Sequence, residues 1–230
     1  MARREAMAEF LDNFANPASL AQAWPLLWQG LQLTLLLAAV ALPLAFAAGL
    51  LLAGAWSLRL RGLSGAIVAL IDLLRSFPVL VLLILIFYGL PFLGLRLPNF
   101  GAAVLALVLN NAGYFGEILR AGIAGVPSGQ DDALRALGLT RLQGLRLVVL
   151  PQAVQSVLAP LASNALELVK ATSVAAMVAL PELLRSARVA QEQTYDPTPL
   201  TAAAVMFFVL LWPFARLTAR MERRMMARRR

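Results

Sequence analysis

The chain has 230 residues, of which 60% are hydrophobic and 14% charged, and it carries a formal net charge of +8. With a mean hydropathy of +0.77, and far fewer charges than the roughly 25% usual in soluble domains, it belongs in a bilayer. Cysteine and histidine are both absent, which excludes a disulfide framework, a thiol or zinc site, and the commonest metal ligand and general base.

Residues 1–23 read as a short polar lead. Arg3 and Arg4 raise the question of a signal peptide, but the apolar run begins only near Trp24 and is too long for an h-region, so no cleavage is expected. No charge occurs between Asp12 and Arg59, and uncharged runs recur at 76–95, 97–116, 147–166 and 197–215. Each has about the 20 residues that a helix needs to cross hydrocarbon. Five spans are predicted, over 26–56, 63–90, 99–122, 148–178 and 200–217, in an all-α polytopic membrane protein.

Trp24 and Trp28 fall where interfacial aromatics anchor a first span, and Pro25 suits its first turn. The second span contains Asp72 and Arg75, then Phe77-Pro78, where the helix is predicted to kink and free carbonyls at membrane depth. Such backbone is tolerated only against protein or a water-filled cavity, which makes Phe77 and Pro78 candidates for a gate. Asp72 with Arg75, and Glu117 with Arg120, are spaced i,i+3 and read as structural ion pairs near one interface. Asn110 and Asn111 on the third span either bind substrate or join helices.

The segment from Val126 to Ala153, VPSGQDDALRALGLTRLQGLRLVVLPQA, is too polar to span. Ser128 after Pro127 can cap a helix, with Asp131 at capping-box spacing. Gly138 is placed to end that helix. Thr140 and Gln143 repeat the spacing to begin another, which Pro151 meets near the membrane surface. On the fourth span Asn164, Glu167 and Lys170 are three residues apart and form one polar stripe. They either neutralise one another or line a path for a zwitterion. The tail, 219–230, is rich in arginine. Beside a span such a tail acts as an anchor to anionic lipid, and no nucleic-acid partner is expected.

Orientation follows from the cations. With the 126–147 loop inside, thirteen arginines are cytoplasmic and five outside, while Arg75 and Lys170 lie within the membrane. The bias predicts an N-terminus outside and a C-terminus inside. The only lysine, Lys170, lacks the flanking glycines of a phosphate-binding loop, so the chain holds no ATP by that means.

Asp132-Ala133, Gly138 and Leu150-Pro151 resemble the EAA loop of importer permeases in the ATP-binding-cassette superfamily. Asp132 replaces the Glu, one methylene shorter, and Leu134 replaces the second Ala. Arg75 to Leu80 is similar to the Arg-Gly-Thr-Pro-Leu-Leu run of the polar amino acid permeases, and Tyr114 with 117–122 to their Tyr-Thr-Ala-Glu-Ile run. Val148 to Ala153 and Lys170 to Ser173 resemble their Val-Val-Leu-Pro-Gln-Ala and Lys-Asp-Thr-Ser. The four ordered runs cover about 70–210.

The resemblance implies a type I importer permease domain over 24–218. Its coupling residues would be Ser128, Gln130, Asp131, Asp132, Ala133, Arg135, Ala136, Gly138, Leu139 and Arg141, docking a separate ATPase dimer that holds ATP and magnesium. Asn110, Asn111, Asn164, Glu167, Lys170, Thr172 and Ser173 are the candidate substrate residues. No metal and no cofactor of its own are expected. A second permease, identical or sister, a periplasmic binding protein and membrane lipid complete the expected partners. Relatives carry Asn-Glu and Lys-Asp where this chain has Ser163-Asn164 and Lys170-Ala171, which argues against a strongly cationic substrate. An ion-coupled transporter would show an internal repeat with broken helices in both halves, and none is found. A membrane scaffold would leave the intramembrane charges without a purpose.

Overall fold

The structure is a computed structural model that describes residues 14–58, 60, 62–127 and 129–228. Among these, four helices are long and apolar enough to cross a membrane, and a bent pair supplies a fifth span. The all-α expectation holds; no strand occurs among the described residues.

Helix α1, Pro17–Ser57, has 41 residues, about 60 Å at 1.5 Å per residue and twice the thickness of hydrocarbon. It therefore projects beyond the bilayer and starts earlier than the predicted limit near residue 24. Asn16 caps it, Oδ1 accepting from the amides of Ala18 at 2.9 Å and Ser19 at 3.3 Å. Pro17 takes the first-turn role expected of Pro25, which instead lies inside the helix with Pro43. Trp24 and Trp28 are half-exposed and stacked, with ring centroids 6.4 Å apart.

The second span breaks where Pro78 foretold. Helix α2, Leu63–Ser76, meets the run Val79–Leu93, which opens with α3, Val79–Ile84, at 93°. Phe77 and Pro78 are both extended, with ψ of 128° and 134°. A π-helical turn, Leu85–Gly89, and a 3-10 turn, Leu90–Leu93, follow.

Helix α4, Asn99–Ala124, is the central post, packed against α1, α2, α3 and the later span. Leu107, Phe115 and Leu119 bury themselves with Leu37 and Leu168 in the main core. In lipid the apolar surface gives no drive for helices to associate, so close approach through small residues matters. Gly49 of α1 supplies it: a Cβ there would lie 2.6 Å from Phe115 Cβ.

The polar segment then forms helix α5, Gly129–Ala136, and helix α6, Arg141–Gly144. The sequence reading has Pro151 meet the second of these helices at the surface. Instead the chain runs from α6 through a π turn, Leu145–Val149, into α7, Leu150–Ala171, with Pro151 in its first turn. The wider turn accommodates the ring and the missing N–H. A 3-10 turn, Thr172–Val178, ends this span.

Helix α8, Leu183–Thr194, falls where no element is predicted. Its buried Leu183, Ser186, Ala187 and Ala190 form a narrow stripe of mostly small residues that packs on Ala23 and Leu27 of α1 and on Ala203. Buried Glu182 caps it, accepting from Leu184 N at 3.0 Å and Arg185 N at 2.8 Å. Leu183 N donates to Thr34 Oγ1 at 3.0 Å, fixing α8 to α1. Helix α9, Thr198–Arg228, closes the bundle, its start tied to that of α1 by a bond of 3.0 Å from Asn16 N to Thr198 Oγ1.

Candidate functional site

Polar groups gather in the loop between α4 and α7 and at mid-span. In the loop, Gly138 ends α5 with φ of 69°, a left-handed turn that glycine adopts without a Cβ clash. Leu139 N donates back to Leu134 O at 3.1 Å, the six-to-one bond of a Schellman cap. Thr140 and Gln143 form the reciprocal box that their spacing predicts. Gln143 Oε1 accepts from Thr140 N at 2.9 Å, and Thr140 Oγ1 accepts from Gln143 N at 3.3 Å. Leu134, nearly buried, seats on Gly144, where a Cβ would lie 2.7 Å from Leu134 Cδ1. The two helices are thus locked together as a unit.

The structure places Gln130, Asp131, Asp132, Ala133, Arg135 and Ala136 on α5, Gly138 and Leu139 in the turn, and Arg141 at the start of α6. Ser128, and the side chains of Asp131, Asp132, Ala133, Arg135 and Arg141, lie outside the described residues, so the first capping box does too. Ala136 is exposed and Leu139 half-buried.

At mid-span the two asparagines of α4 turn different ways. Asn110 Nδ2 donates to Phe77 O at 2.9 Å and Leu74 O at 3.4 Å, reaching the broken span. Asn111 Nδ2 donates to Leu107 O at 3.0 Å, and its oxygen accepts from Asn164 Nδ2 of α7 at 3.3 Å. These bonds join α4 to the broken span and to α7.

Glu167 and Lys170 form an ion pair at 2.6 Å, with side chains 65% and 46% exposed on this single chain. Charges at membrane depth do not face lipid, so this face is turned to water, to ligand or to another subunit. Ser163 on the same helix donates to Glu222 of α9 at 3.0 Å. Ser173 Oγ donates to Lys170 O at 2.9 Å, and fully buried Thr172 donates to Val169 O at 2.7 Å.

The flanking charges behave as structural pairs. Arg120 grips Glu117 through two bonds of 2.8 and 2.7 Å and lies over the Trp56 ring at 5.3 Å. Arg75 is 3.8 Å from Asp72 and sits over the Tyr114 ring at 5.5 Å. A cavity of about 440 Å³ between α1, α4, α7 and α9 is lined by Leu42, Phe46, Phe115, Leu158, Leu161 and other apolar groups. Without a polar partner it is unsuited to a zwitterion. Among the described residues no cluster of acidic side chains could hold a metal ion.

Comparison with known proteins agrees with this geometry. The family model described as "binding-protein-dependent transport system inner membrane component" matches residues 45–227. The probable glutamine ABC transporter permease protein GlnP of Bacillus subtilis (strain 168) is 32% identical over 200 residues, 85% of this chain and 92% of that protein. The L-cystine transport system permease protein TcyB of the same organism is 34% identical over 165 residues, 72% of this chain and 70% of that one. Among solved structures, an amino acid ABC transporter with histidines is similar with a TM-score of 0.79 and 33% identity, over 90% of this chain and 97% of that one. An inward-facing form of the MetNI methionine ABC transporter shares the fold, at 22% identity and a TM-score of 0.72, over 87% of this chain and 96% of that one. The chain belongs to the binding-protein-dependent transport system inner membrane components: it is a multi-pass permease subunit of an ABC transporter, a transport component and not an enzyme.

Proposed function

We propose that this permease imports a polar amino acid, delivered by a periplasmic binding protein and driven by a separate ATPase dimer that binds ATP with magnesium. The observation that carries the reading is the continuity of its elements. The locked α5–α6 unit lies between α4 and α7. Those two helices meet again at Asn111 and Asn164, and Glu167 and Lys170 follow one and two turns along α7. A push on α6 therefore reaches the mid-span polar face through the unbroken run of α6, the π turn and α7.

The substrate class is supported by the pair itself. Glu167 complements an ammonium and Lys170 a carboxylate, with Ser173 beside them and the Asn110, Asn111, Asn164 and Thr172 groups supporting the wall. Glutamine and cystine, named for the two bacterial relatives, are of this class. The exposed mid-span charges call for a second permease, identical or sister, to close the pathway. The excess of arginines on the side of the loop and tail, thirteen against five, supports placing them inside and the N-terminus in the periplasm.

The test is purification from native membranes, followed by reconstitution in proteoliposomes with the co-purifying proteins. Co-purification of a nucleotide-binding subunit and ATP-dependent uptake of a labelled polar amino acid are expected. Uptake driven by an ion gradient without ATP would overturn the reading.

A further inference from the structure

The 93° break in the second span leaves backbone carbonyls without helical donors. Pro78 has no N–H for the carbonyl of Leu74, and the extended Phe77 and Pro78 carry the carbonyls of Arg75 and Phe77 out of the ladder. At membrane depth such groups must find partners inside the protein. Two side chains of α4 supply them. Asn110 Nδ2 donates to Phe77 O and Leu74 O at 2.9 and 3.4 Å, and Tyr114 Oη donates to Arg75 O at 3.4 Å.

The two donors are four residues apart and so lie on one face of α4. Gly113 beside them lets the broken span approach: a Cβ there would lie 2.9 Å from Leu74 Cβ and 3.1 Å from Ile71 O. Arg75 also meets α4 here, its guanidinium over the Tyr114 ring at 5.5 Å. Its Nη1 stands 3.8 Å from Asp72, and its buried Nε has no partner among the described residues. Asn111, the next residue along, faces α7 through Asn164.

We propose that Asn110 and Tyr114 are positioning residues, a clamp by which α4 sets the angle between α2 and α3. Displacement of the end of α4 that leads into α5 is thereby passed to the Phe77–Pro78 break. Their donors are directional, and rotation of α4 moves all three bonds at once. The angle readout below does not depend on which solute is carried, so the clamp and the substrate reading fail separately.

The chain has no cysteine, so cysteines placed at Leu70 and Leu85, both exposed, take a spin-label pair that spans the break. Distance distributions are recorded by pulsed electron paramagnetic resonance on the complete reconstituted transporter. In Asn110→Leu/Tyr114→Phe the distribution is expected to broaden about twofold as the freed hinge samples more than one angle. ATP-driven uptake is expected to fall about tenfold. Asn111→Leu, which loosens α7 instead, leaves the α2–α3 distribution as in the parent.

If the double variant does not assemble, Tyr114→Phe alone, which loses one hydroxyl and keeps the ring, carries the same test with a smaller broadening. A parent-like distribution in the clamp variants overturns the proposal, whatever happens to uptake. So does full uptake from a broadened hinge, or equal broadening in Asn111→Leu.

Discussion

Gly49 of α1 lies directly against Phe115 of α4, so that a Cβ on the glycine would stand 2.6 Å from Phe115 Cβ and 2.8 Å from Gly116 N. Backbone on one side and a ring base on the other leave nothing flexible to give way. Gly49→Ala is expected to force the two longest-packed helices apart at a cost of about 1–3 kcal/mol, against the gain that alanine brings within a helix. Thermal unfolding in detergent checks it, with Gly54→Ala as the control, because no atom lies within 4 Å of a Cβ at that position. The control should be neutral or slightly stabilising, and equal losses in both variants would contradict the packing argument.

The reciprocal bonds of Thr140 and Gln143 start α6 and so the span that follows. Thr140→Ala removes the hydroxyl that accepts from Gln143 N, a loss of about 1 kcal/mol by the behaviour of other N-caps. Hydrogen exchange at 141–144 should rise several-fold while exchange within α4 is unchanged. Unchanged exchange at 141–144 would show that packing of Leu134 on Gly144, and not the cap, holds this helix.

Much of this architecture is readable from residues alone, and the reasons are local. Pro78 forces a break because it lacks an N–H, and Gly138 ends a helix because only glycine is comfortable with φ of 69°. Charge-free runs mark the spans because hydrocarbon excludes charge. Helix α8 is not readable in the same way. Its twelve residues carry Arg185, Arg188 and Glu192, and its buried side is a stripe of small residues whose meaning depends on Gly30 opposite. Glu182 after Pro181, with Leu183, Ser186, Ala187 and Ala190 in helical spacing, is the signal that could have found it. The start of α1 was obscured because Pro25 mimics a first turn, whereas Asn16 with Pro17 makes the true one. At mid-span the asparagines could be found by their rarity in hydrocarbon, but the direction in which each points is set by tertiary packing.

Glu182 lies outside the spans, and burial pushes its carboxyl above the ordinary range against the opposing pull of the Leu184 and Arg185 amides. An acid whose folded pKa is raised binds more protons folded than unfolded. Its contribution is therefore fully present below the unfolded value and declines as pH rises through the raised folded value. Melting temperature should fall with rising pH across that window, and Glu182→Gln should flatten the dependence. A steeper slope in the variant would contradict the assignment.

Glu167→Gln removes the charge that pairs with Lys170 at 2.6 Å. If Glu167 receives the substrate ammonium, the variant assembles and hydrolyses ATP basally, yet loses substrate stimulation or changes its preference among amino acids. Unaltered uptake kinetics across several amino acids in proteoliposomes would rule that role out.

Coupling through the loop is the central claim, and Gly138 is where it is most exposed to test. Proline cannot adopt its φ of 69°, so Gly138→Pro must unmake the turn that joins α5 to α6 while leaving every span intact. Asp132→Lys on the same helix is expected to act likewise through charge. The decisive measurement is substrate-stimulated ATP hydrolysis by reconstituted Gly138→Pro complexes whose membrane insertion has been verified. Loss of stimulation, with uptake abolished, is the predicted result; stimulation and uptake at parental levels would contradict it.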